Sequence, residues 1–316
     1  MTNKEKYYAF CEIEKTIPLF SQAWWLDAVC ADEWDVCLVE KGGTIYASMP
    51  FHIKKRYGFT ILCQPPLTQN LGPWIKPSTL KYDKILSQQK VLMEGLIEQL
   101  PTYHYFNQNW HYMQTNWLPF YWKGFKQTTY YTYVIEELID LEYVFSNFGY
   151  AKRKNINKAE KIINVVFDIS AEEFYKNHKM TLAKQGLKIS YSFELFNKIY
   201  KAGYEHNSAR TIAGYDSKNN LHAALFIIWD KLSAYDLIST IDPDYRVYGA
   251  ASLLIKEVIT FVSTITKKID FEGSMIESVE RSFRQFGAIQ KPYFNVSKNQ
   301  SKMLKIANCI TKSFTG

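Results

Sequence analysis

Cysteine and histidine are scarce in this chain, and neither forms a metal or disulfide pattern. The 316 residues include five cysteines, an odd number, and none of them belongs to a Cys-x-x-Cys pair. The six histidines share no spacing typical of metal ligands. The sequence therefore excludes a disulfide framework and a zinc site as organising features, and we expect no bound metal.

Long apolar runs are also missing. No stretch approaches the ~20 uninterrupted apolar residues that a transmembrane helix needs. The first residues, Met1 to Lys6, lack the apolar core of a signal peptide. We therefore expect a cytoplasmic protein with reduced cysteines and without a transmembrane segment.

The charge balance is only mildly basic. There are 38 basic and 31 acidic residues, giving a net charge of +7. This suits a phosphorylated ligand or an occasional RNA contact but is weak for a dedicated nucleic-acid binder, so no DNA partner is expected. The aromatic content of 16% is typical either of an aromatic-rich core or of a groove for sugar rings or bases.

The length and the order of elements predict two domains. A chain of this size with 47% hydrophobic residues has enough apolar surface for two cores. Each half contains helices, a hairpin, a strand and a glycine or proline loop, followed by further helices and strands, without a residue-level repeat. We place the domains at residues 1–136 and 137–316.

Residues 232–294 contain the pattern around which the chain is organised. The predicted elements are a strand Ser233–Ile241, a helix from Arg246 through Phe261, a strand Ile269–Ser274, a helix Ile276–Phe286 and a strand Tyr293–Val296. Gly249 and the small residues after it stand at a strand-to-helix junction, where backbone N–H groups can approach an anion closely. The positive end of the helix dipole adds to this attraction. This segment predicts a phosphate-binding turn.

Two further segments each allow two interpretations. The loop from Gln64 to Trp74 cannot be helical, because it contains two adjacent prolines and a Gly-Pro pair. It either lines a polar pocket or is a rigid connector. The run from Lys152 to Lys161 carries five positive charges and is either a solvated helix face or a contact to phosphates.

These motifs together resemble a known family. Arg246-Val247-Tyr248-Gly249-Ala250-Ala251 fits the Arg/Gln-x-x-Gly-x-Gly/Ala signature of the GNAT acyltransferase fold. Residues 270–274 and 281–288 resemble the C-terminal signature of FemAB-like tandem GNAT proteins and of BioF2-like acyltransferases. The 64–74 loop and the basic helix start at 153–156 are also similar to that group, so the resemblance covers about residues 18–296.

The resemblance implies an α/β (α+β) fold of two tandem GNAT-like domains, each a mixed, mostly antiparallel sheet flanked by helices. It implies an N-acyltransferase that moves an acyl group from acyl-CoA to an amine of a sugar, glycan or peptide precursor. In the FemABX branch the donor is an aminoacyl-tRNA and the acceptor a peptidoglycan precursor, so a tRNA end and a cell-envelope precursor are alternative partners. A non-catalytic tandem GNAT-fold binding protein is a third interpretation.

The resemblance also suggests roles for individual residues. The donor, as a co-substrate, would be bound by Arg246, Val247, Tyr248, Gly249, Ala250 and Ala251. Glu272 would accept a proton from the amine or orient it, or else it forms an ion pair with Arg281 or Arg284. Tyr248 would act as an acid for the leaving group, or it only packs. The predicted acceptor-binding residues are Gln64, Thr68, Gln69, Asn70, Trp74, Arg153 and Arg284.

Overall fold

A computed structural model describes residues 1–273 and 275–301 of the chain. Its internal contacts divide the chain into two compact units. The first comprises Met1–Tyr130 together with residues 292–301, and the second comprises Tyr131–Lys291. This division differs from the predicted ranges 1–136 and 137–316, because the last strand returns to pair within the first unit. Ser274 and residues 302–316, part of the predicted second domain, lie outside the described residues.

The first unit begins with a helix that precedes all of the predicted elements. Helix α1, Asn3–Ile13, is capped by Thr2, whose hydroxyl accepts the N–H of Glu5 while the Glu5 carboxylate accepts the N–H of Thr2. This reciprocal pair satisfies two amide hydrogens that the helix start would otherwise leave unpaired. The other helices are a 3-10 turn Leu19–Ser21, α2 Ala23–Cys30, α3 Tyr82–Glu98 and α4 Leu118–Trp122.

The sheet of the first unit is mixed and mostly antiparallel. Its strands are β1 Trp34–Lys41, β2 Thr44–Arg56, β3 Phe59–Cys63, β4 Trp74–Ile75, β5 Tyr105–Asn109 and residues of β12 Ile289–Asn299. Their order is β1-β2-β3-β5-β12, with β4 on β2, and β3–β5 is the parallel pair. Helix α3 buries Leu92, Met93 and Leu96 against this sheet.

The second unit contains the predicted phosphate-binding turn at residues 246–251. Its helices are α5 Leu141–Ser146, α6 Tyr150–Ala159, α7 Ala171–Lys184, α8 Phe193–Glu205, a 3-10 helix Pro243–Tyr248, α9 Ala250–Val262 and α10 Glu277–Arg284. Its strands are residues of β6 Lys126–Ile135, then β7 Asn164–Phe167, β8 Ala209–Tyr215, β9 Leu221–Trp229, β10 Ala234–Ile241 and β11 Ile269–Asp270. The strand order is β6-β11-β10-β9-β8-β7, with β10–β11 parallel and the other pairs antiparallel.

Helices cover both faces of this second sheet. Every residue of β9 from His222 to Trp229 is buried, as expected for a strand packed on both sides. On one face, Leu225 and Ile227 join a core with α9, which buries eight of its residues. On the other face, Phe226 contacts rings of α7 and α8. The predicted class, mixed and mostly antiparallel sheets flanked by helices, is confirmed.

Three predicted elements of residues 232–294 have wrong boundaries. The last strand, predicted at Tyr293–Val296, spans Ile289–Asn299. The helix expected from Arg246 begins at Ala250, because Pro243–Tyr248 forms a 3-10 helix capped by the Asp242 carboxylate. The strand expected over 269–274 ends at Asp270. Glu272 has a left-handed φ of +54°, which an extended strand cannot accommodate.

Candidate functional site

The second unit contains a cavity of about 570 Å³ next to the start of α9. Strands β9 and β10, the 3-10 helix and the starts or ends of four helices contribute to its wall. The polar lining residues are Lys152, Asn155, Gln185, His222, Asp236, Ser239, Tyr245, Arg246, Ser252, Ser278 and Ser282. Gly249, Ala250 and Ala251 complete the wall at the helix start.

Helix α9 presents two amide hydrogens to this cavity. Its N-cap is Gly249, which has a φ of +82° and no side chain to cap the helix. The N–H groups of Ser252 and Leu253 are bonded to the Gly249 carbonyl. Throughout the part of the chain that the structure describes, the N–H groups of Ala250 and Ala251 have no intramolecular acceptor. Two such donors at the positive end of a 13-residue helix are suited to bind an anion.

Gly249 is also required for packing. A Cβ at this position would stand 2.5 Å from the carbonyl oxygen of Asn155 and 2.9 Å from its Cβ. The left-handed φ would add strain to any L side chain. The glycine thus allows α6 to lie against the start of α9.

The pairing of β10 with β11 ends at Tyr235, next to the cavity residue Asp236. They pair over two positions only, Ala234 with Ile269 and Tyr235 with Asp270, while β10 continues to Ile241. On the other side of β10, the register to β9 shifts between Asp236 and Ile238. An irregular strand that continues past its hydrogen-bonded neighbour can offer the backbone N–H and C=O groups of that edge to a bound ligand.

Asp236 lies at this irregularity and was missed by sequence reasoning. Its side chain is 7% exposed, and its carboxylate accepts hydrogen bonds from the Ser239 hydroxyl at 2.8 and 2.9 Å. Burial raises the pKa of Asp236 from 3.8 to about 6. A carboxylate inside a cavity with a pKa near neutrality can accept a proton from a substrate. The one sequence signal is an aspartate within the otherwise apolar start of β10.

Lys152 is a second perturbed group in the same cavity. Its ammonium donates to the Ser282 hydroxyl at 2.7 Å and lies 4.1 Å from the ring centroid of Phe286. Burial lowers the pKa of Lys152 from 10.5 to about 8. This part of the basic run therefore points inward, and it is not a fully solvated face.

The structure brings four of the six predicted donor-binding residues together. Arg246, Gly249, Ala250 and Ala251 line the cavity. Val247 and Tyr248 do not belong to its described lining; their side chains are 68% and 37% exposed. Both contact Lys158, which donates to the Val247 carbonyl at 2.9 Å and lies 5.1 Å from the Tyr248 ring centroid.

Glu272, the predicted proton acceptor, lies outside the described lining of the cavity. Both of its carboxylate oxygens are shielded from solvent, and its N–H donates to the Asp270 carboxylate at 2.8 Å. Arg284 forms its ion pair with Glu280 at 3.5 Å, one turn away on the same helix. The catalytic role of Glu272 stays a prediction, and Asp236 is the alternative candidate for the proton acceptor.

Arg153 does not belong to the described lining of the α9 cavity. Its guanidinium donates to the carbonyls of Ser146 and Phe148, so it satisfies the end of α5. It lines a separate cavity of about 450 Å³ together with Lys154 and Lys256.

Most polar side chains of the 64–74 loop form hydrogen bonds within the loop or to residues packed beside it. Gln64 accepts the Asn109 N–H at 2.7 Å and donates to the Thr68 carbonyl at 3.0 Å. The buried Thr68 hydroxyl accepts the indole N–H of Trp25, and Trp74 donates to Thr16. These contacts favour a rigid connector. Gln69 and Asn70 are partly exposed and stay the predicted acceptor contacts in this loop.

The described residues include no group of three or more His, Cys, Asp or Glu side chains that could hold a metal ion. Within the same residues, no helix is both long enough and apolar enough to cross a membrane.

Comparison with known proteins identifies the fold. No protein-family model matches the chain, and no curated protein matches its sequence. Solved structures do match. FemX has a TM-score of 0.66 at 10% identity, with 93% of this chain and 96% of that chain covered. L-PGS from Bacillus licheniformis gives 0.57 at 10% identity, with 98% and 96% covered.

A tandem GNAT protein from the clavulanic acid biosynthesis pathway gives a TM-score of 0.50 at 7% identity, with 94% of each chain covered. At such identities the likeness establishes the fold alone. The chain therefore has the tandem GNAT fold that it shares with FemX, and the resemblance to FemAB-like proteins is confirmed at the level of the fold.

Proposed function

We propose that the chain is an N-acyltransferase that moves an acyl group from acyl-CoA to an amine of a sugar, glycan or peptide precursor. The observation that carries this proposal is the α9 cavity. It combines two unpaired amide hydrogens, an arginine, a separated strand edge and a buried carboxylate with a raised pKa. These are the groups that an anionic thioester donor and an attacking amine require.

The donor would bind along α9 and β10. The N–H groups of Ala250 and Ala251 and the guanidinium of Arg246 would hold its diphosphate, since all three residues line the cavity. The thioester would lie toward the edge of β10 beyond Tyr235, where pairing with β11 ends.

Two groups would handle the protons. The amine attacks the thioester carbonyl, a C–N bond forms, and the Asp236 carboxylate accepts the proton that the amine loses. The C–S bond then breaks, and the Lys152 ammonium gives a proton to the departing sulfur. A pKa of about 8 for Lys152 is close to that of an ordinary thiol, about 8.5, so this transfer is nearly balanced.

The acceptor is proposed to be a small molecule or a cell-envelope precursor. An aminoacyl ester on the end of a tRNA places the same kind of carbonyl next to a phosphate chain, so it is the alternative donor to be tested against acyl-CoA.

A donor screen tests the proposal. Thermal unfolding is measured with coenzyme A, acetyl-CoA and an aminoacyl-tRNA, each in excess. A ligand at about 100 times its Kd stabilises the folded state by about 2.7 kcal/mol. The proposal predicts that both coenzyme A compounds raise Tm. A response to aminoacyl-tRNA alone would favour the alternative donor, and no response to any of them would favour a non-catalytic binding protein.

A matched pair of variants links the response to the cavity. Arg246→Gln removes the cavity guanidinium and should weaken coenzyme A binding about tenfold, the effect of losing one charged hydrogen bond of about 1.4 kcal/mol. Arg281→Gln removes an exposed arginine of the same unit that does not belong to the described cavity lining, and it should leave the affinity unchanged. Equal effects of the two substitutions would contradict the assignment.

A further inference from the structure

Helix α10 contributes two apolar side chains to the wall of the α9 cavity. Val279 and Phe283 both line the cavity, and both are half-buried. They are four residues apart in α10, so they lie on the same face of the helix, about 5–6 Å apart at their Cβ atoms. Helix α10 buries none of its residues fully. Part of the apolar surface of this pair is therefore in contact with the cavity.

The pair lies beside the proposed acyl end of the cavity. The Phe283 ring stacks on Phe271, with 5.1 Å between centroids and an interplanar angle of 25°. Phe271 directly follows Asp270, and Asp236 directly follows Tyr235, the residue that pairs with Asp270. Because side chains alternate along a strand, Phe271 and Asp236 are on the same face of the sheet. Phe283 is thus next to the point where the thioester is proposed to bind.

Other parts of the same cavity wall are apolar as well. Leu225, Ile255 and Phe286 line the cavity, are at most 5% exposed and belong to the core that α9 forms with the sheet. The Phe286 ring also stacks on Phe271, with 5.5 Å between centroids. Val279 and Phe283 therefore extend an apolar wall that begins in the protein core.

The two charged side chains at this end already have hydrogen-bond partners. The Asp236 carboxylate accepts from Ser239, and the Lys152 ammonium donates to Ser282. A polar or charged acyl group placed against the apolar wall would lose hydration without an equivalent replacement, which costs free energy. An apolar chain gains free energy when the same wall removes it from water.

We propose that Val279 and Phe283 select a donor with an apolar acyl chain of about four to six carbons. The distance between the two side chains equals the length of about four C–C bonds in an extended chain. This inference rests on the proposed donor site and names the class of acyl group that the site takes. It also disfavours an aminoacyl donor, because the ammonium of an aminoacyl group would lie against the apolar pair.

Calorimetric titration with coenzyme A, acetyl-CoA, butyryl-CoA and hexanoyl-CoA tests the proposal in the absence of an acceptor. Each methylene that the wall removes from water should strengthen binding by about fourfold. The affinity should therefore rise from acetyl-CoA through butyryl-CoA to hexanoyl-CoA.

Two substitutions of Val279 locate the chain. Val279→Thr exchanges one methyl group for a hydroxyl at nearly constant shape, so the ratio of hexanoyl-CoA to coenzyme A affinity should fall by about fourfold. Val279→Phe fills part of the acyl space and should lower the same ratio by about tenfold. Val91→Thr makes the first change at a helical position of the first unit that is 66% exposed, and it should leave the ratio as in the wild type.

The outcomes separate this inference from the proposed function. Failure of every coenzyme A compound to bind would remove the donor site and the inference with it. Binding of coenzyme A with the same affinity as hexanoyl-CoA would overturn the apolar acyl site and leave the donor site standing. A rise in affinity with chain length that is unchanged in both Val279 variants would place the chain elsewhere and contradict the proposal.

Discussion

Replacing Asp236 with asparagine should make the protein more stable at neutral pH and at the same time inactive. Asparagine has the shape of the carboxylate and can still accept a hydrogen bond from Ser239, which lies 2.8 and 2.9 Å from the two Asp236 oxygens. The substitution therefore removes the buried charge and the proton acceptor with little change in packing.

The magnitude follows from the pKa of Asp236. Burial raises this pKa from 3.8 to about 6, and each pH unit corresponds to about 1.4 kcal/mol. The pKa of Asp236 is higher in the folded state than in the unfolded state. The protonated carboxyl therefore stabilises the folded protein fully below about pH 3.8, and this stabilisation is lost as the pH rises through about 6. Above that window the buried carboxylate costs up to about 3 kcal/mol, which the asparagine variant avoids.

Urea unfolding at about pH 4.5 and about pH 7.5 measures this effect. The wild type should lose more stability between the two values than the variant does. The Asp270 pKa, also raised to about 6 by burial, contributes equally to both proteins and cancels. Equal pH dependence in the two proteins would refute the buried, raised pKa. Retention of turnover by a folded variant would refute Asp236 as the proton acceptor, since loss of a general base lowers kcat by about 10²–10⁴-fold.

Three other predictions follow from the same cavity. The pH profile of kcat/KM should be bell-shaped, with limbs near 6 and near 8 from Asp236 and Lys152, and Lys152→Met should remove the alkaline limb. Glu272→Gln should slow turnover far less than Asp236→Asn; the reverse order would restore Glu272 as the catalytic carboxylate. Gly249→Ala should cost about 2–4 kcal/mol in urea unfolding. The control Gly186→Ala shares a left-handed φ of +71° but meets no atom within 4 Å, so it should cost only about 1 kcal/mol. Similar losses for both glycines would contradict the contact with Asn155.

Much of the fold could be predicted from the sequence. The hairpin β1–β2 and helix α3 follow from alternation, helical periodicity and a tight Gly-Gly turn, which act locally. Helix α1 could also have been predicted, because Thr2 and Glu5 have the spacing of a capping box. The 3-10 helix before α9 is harder to predict, since Asp242 and Pro243 favour a turn without determining its type.

The candidate site was predictable only in part. The Arg246–Ala251 motif is contiguous and therefore visible in the sequence, and four of its six residues line the cavity. The perturbed groups are not contiguous. Lys152 becomes buried because α6 packs beside Ser282 and Phe286, and Asp236 acquires its raised pKa from burial at a strand irregularity. Both properties arise from tertiary packing, which no local pattern encodes. Glu272 was expected at the end of a strand over residues 269–274, and that strand ends at Asp270, two residues before it.

The position of a bound donor tests the central claim most directly. A crystal structure of the protein with coenzyme A should show the diphosphate within about 3 Å of the N–H groups of Ala250 and Ala251, with Arg246 beside it. The thiol end should lie toward Asp236, along the edge of β10. A diphosphate bound elsewhere, or a thiol directed away from Asp236, would contradict the account.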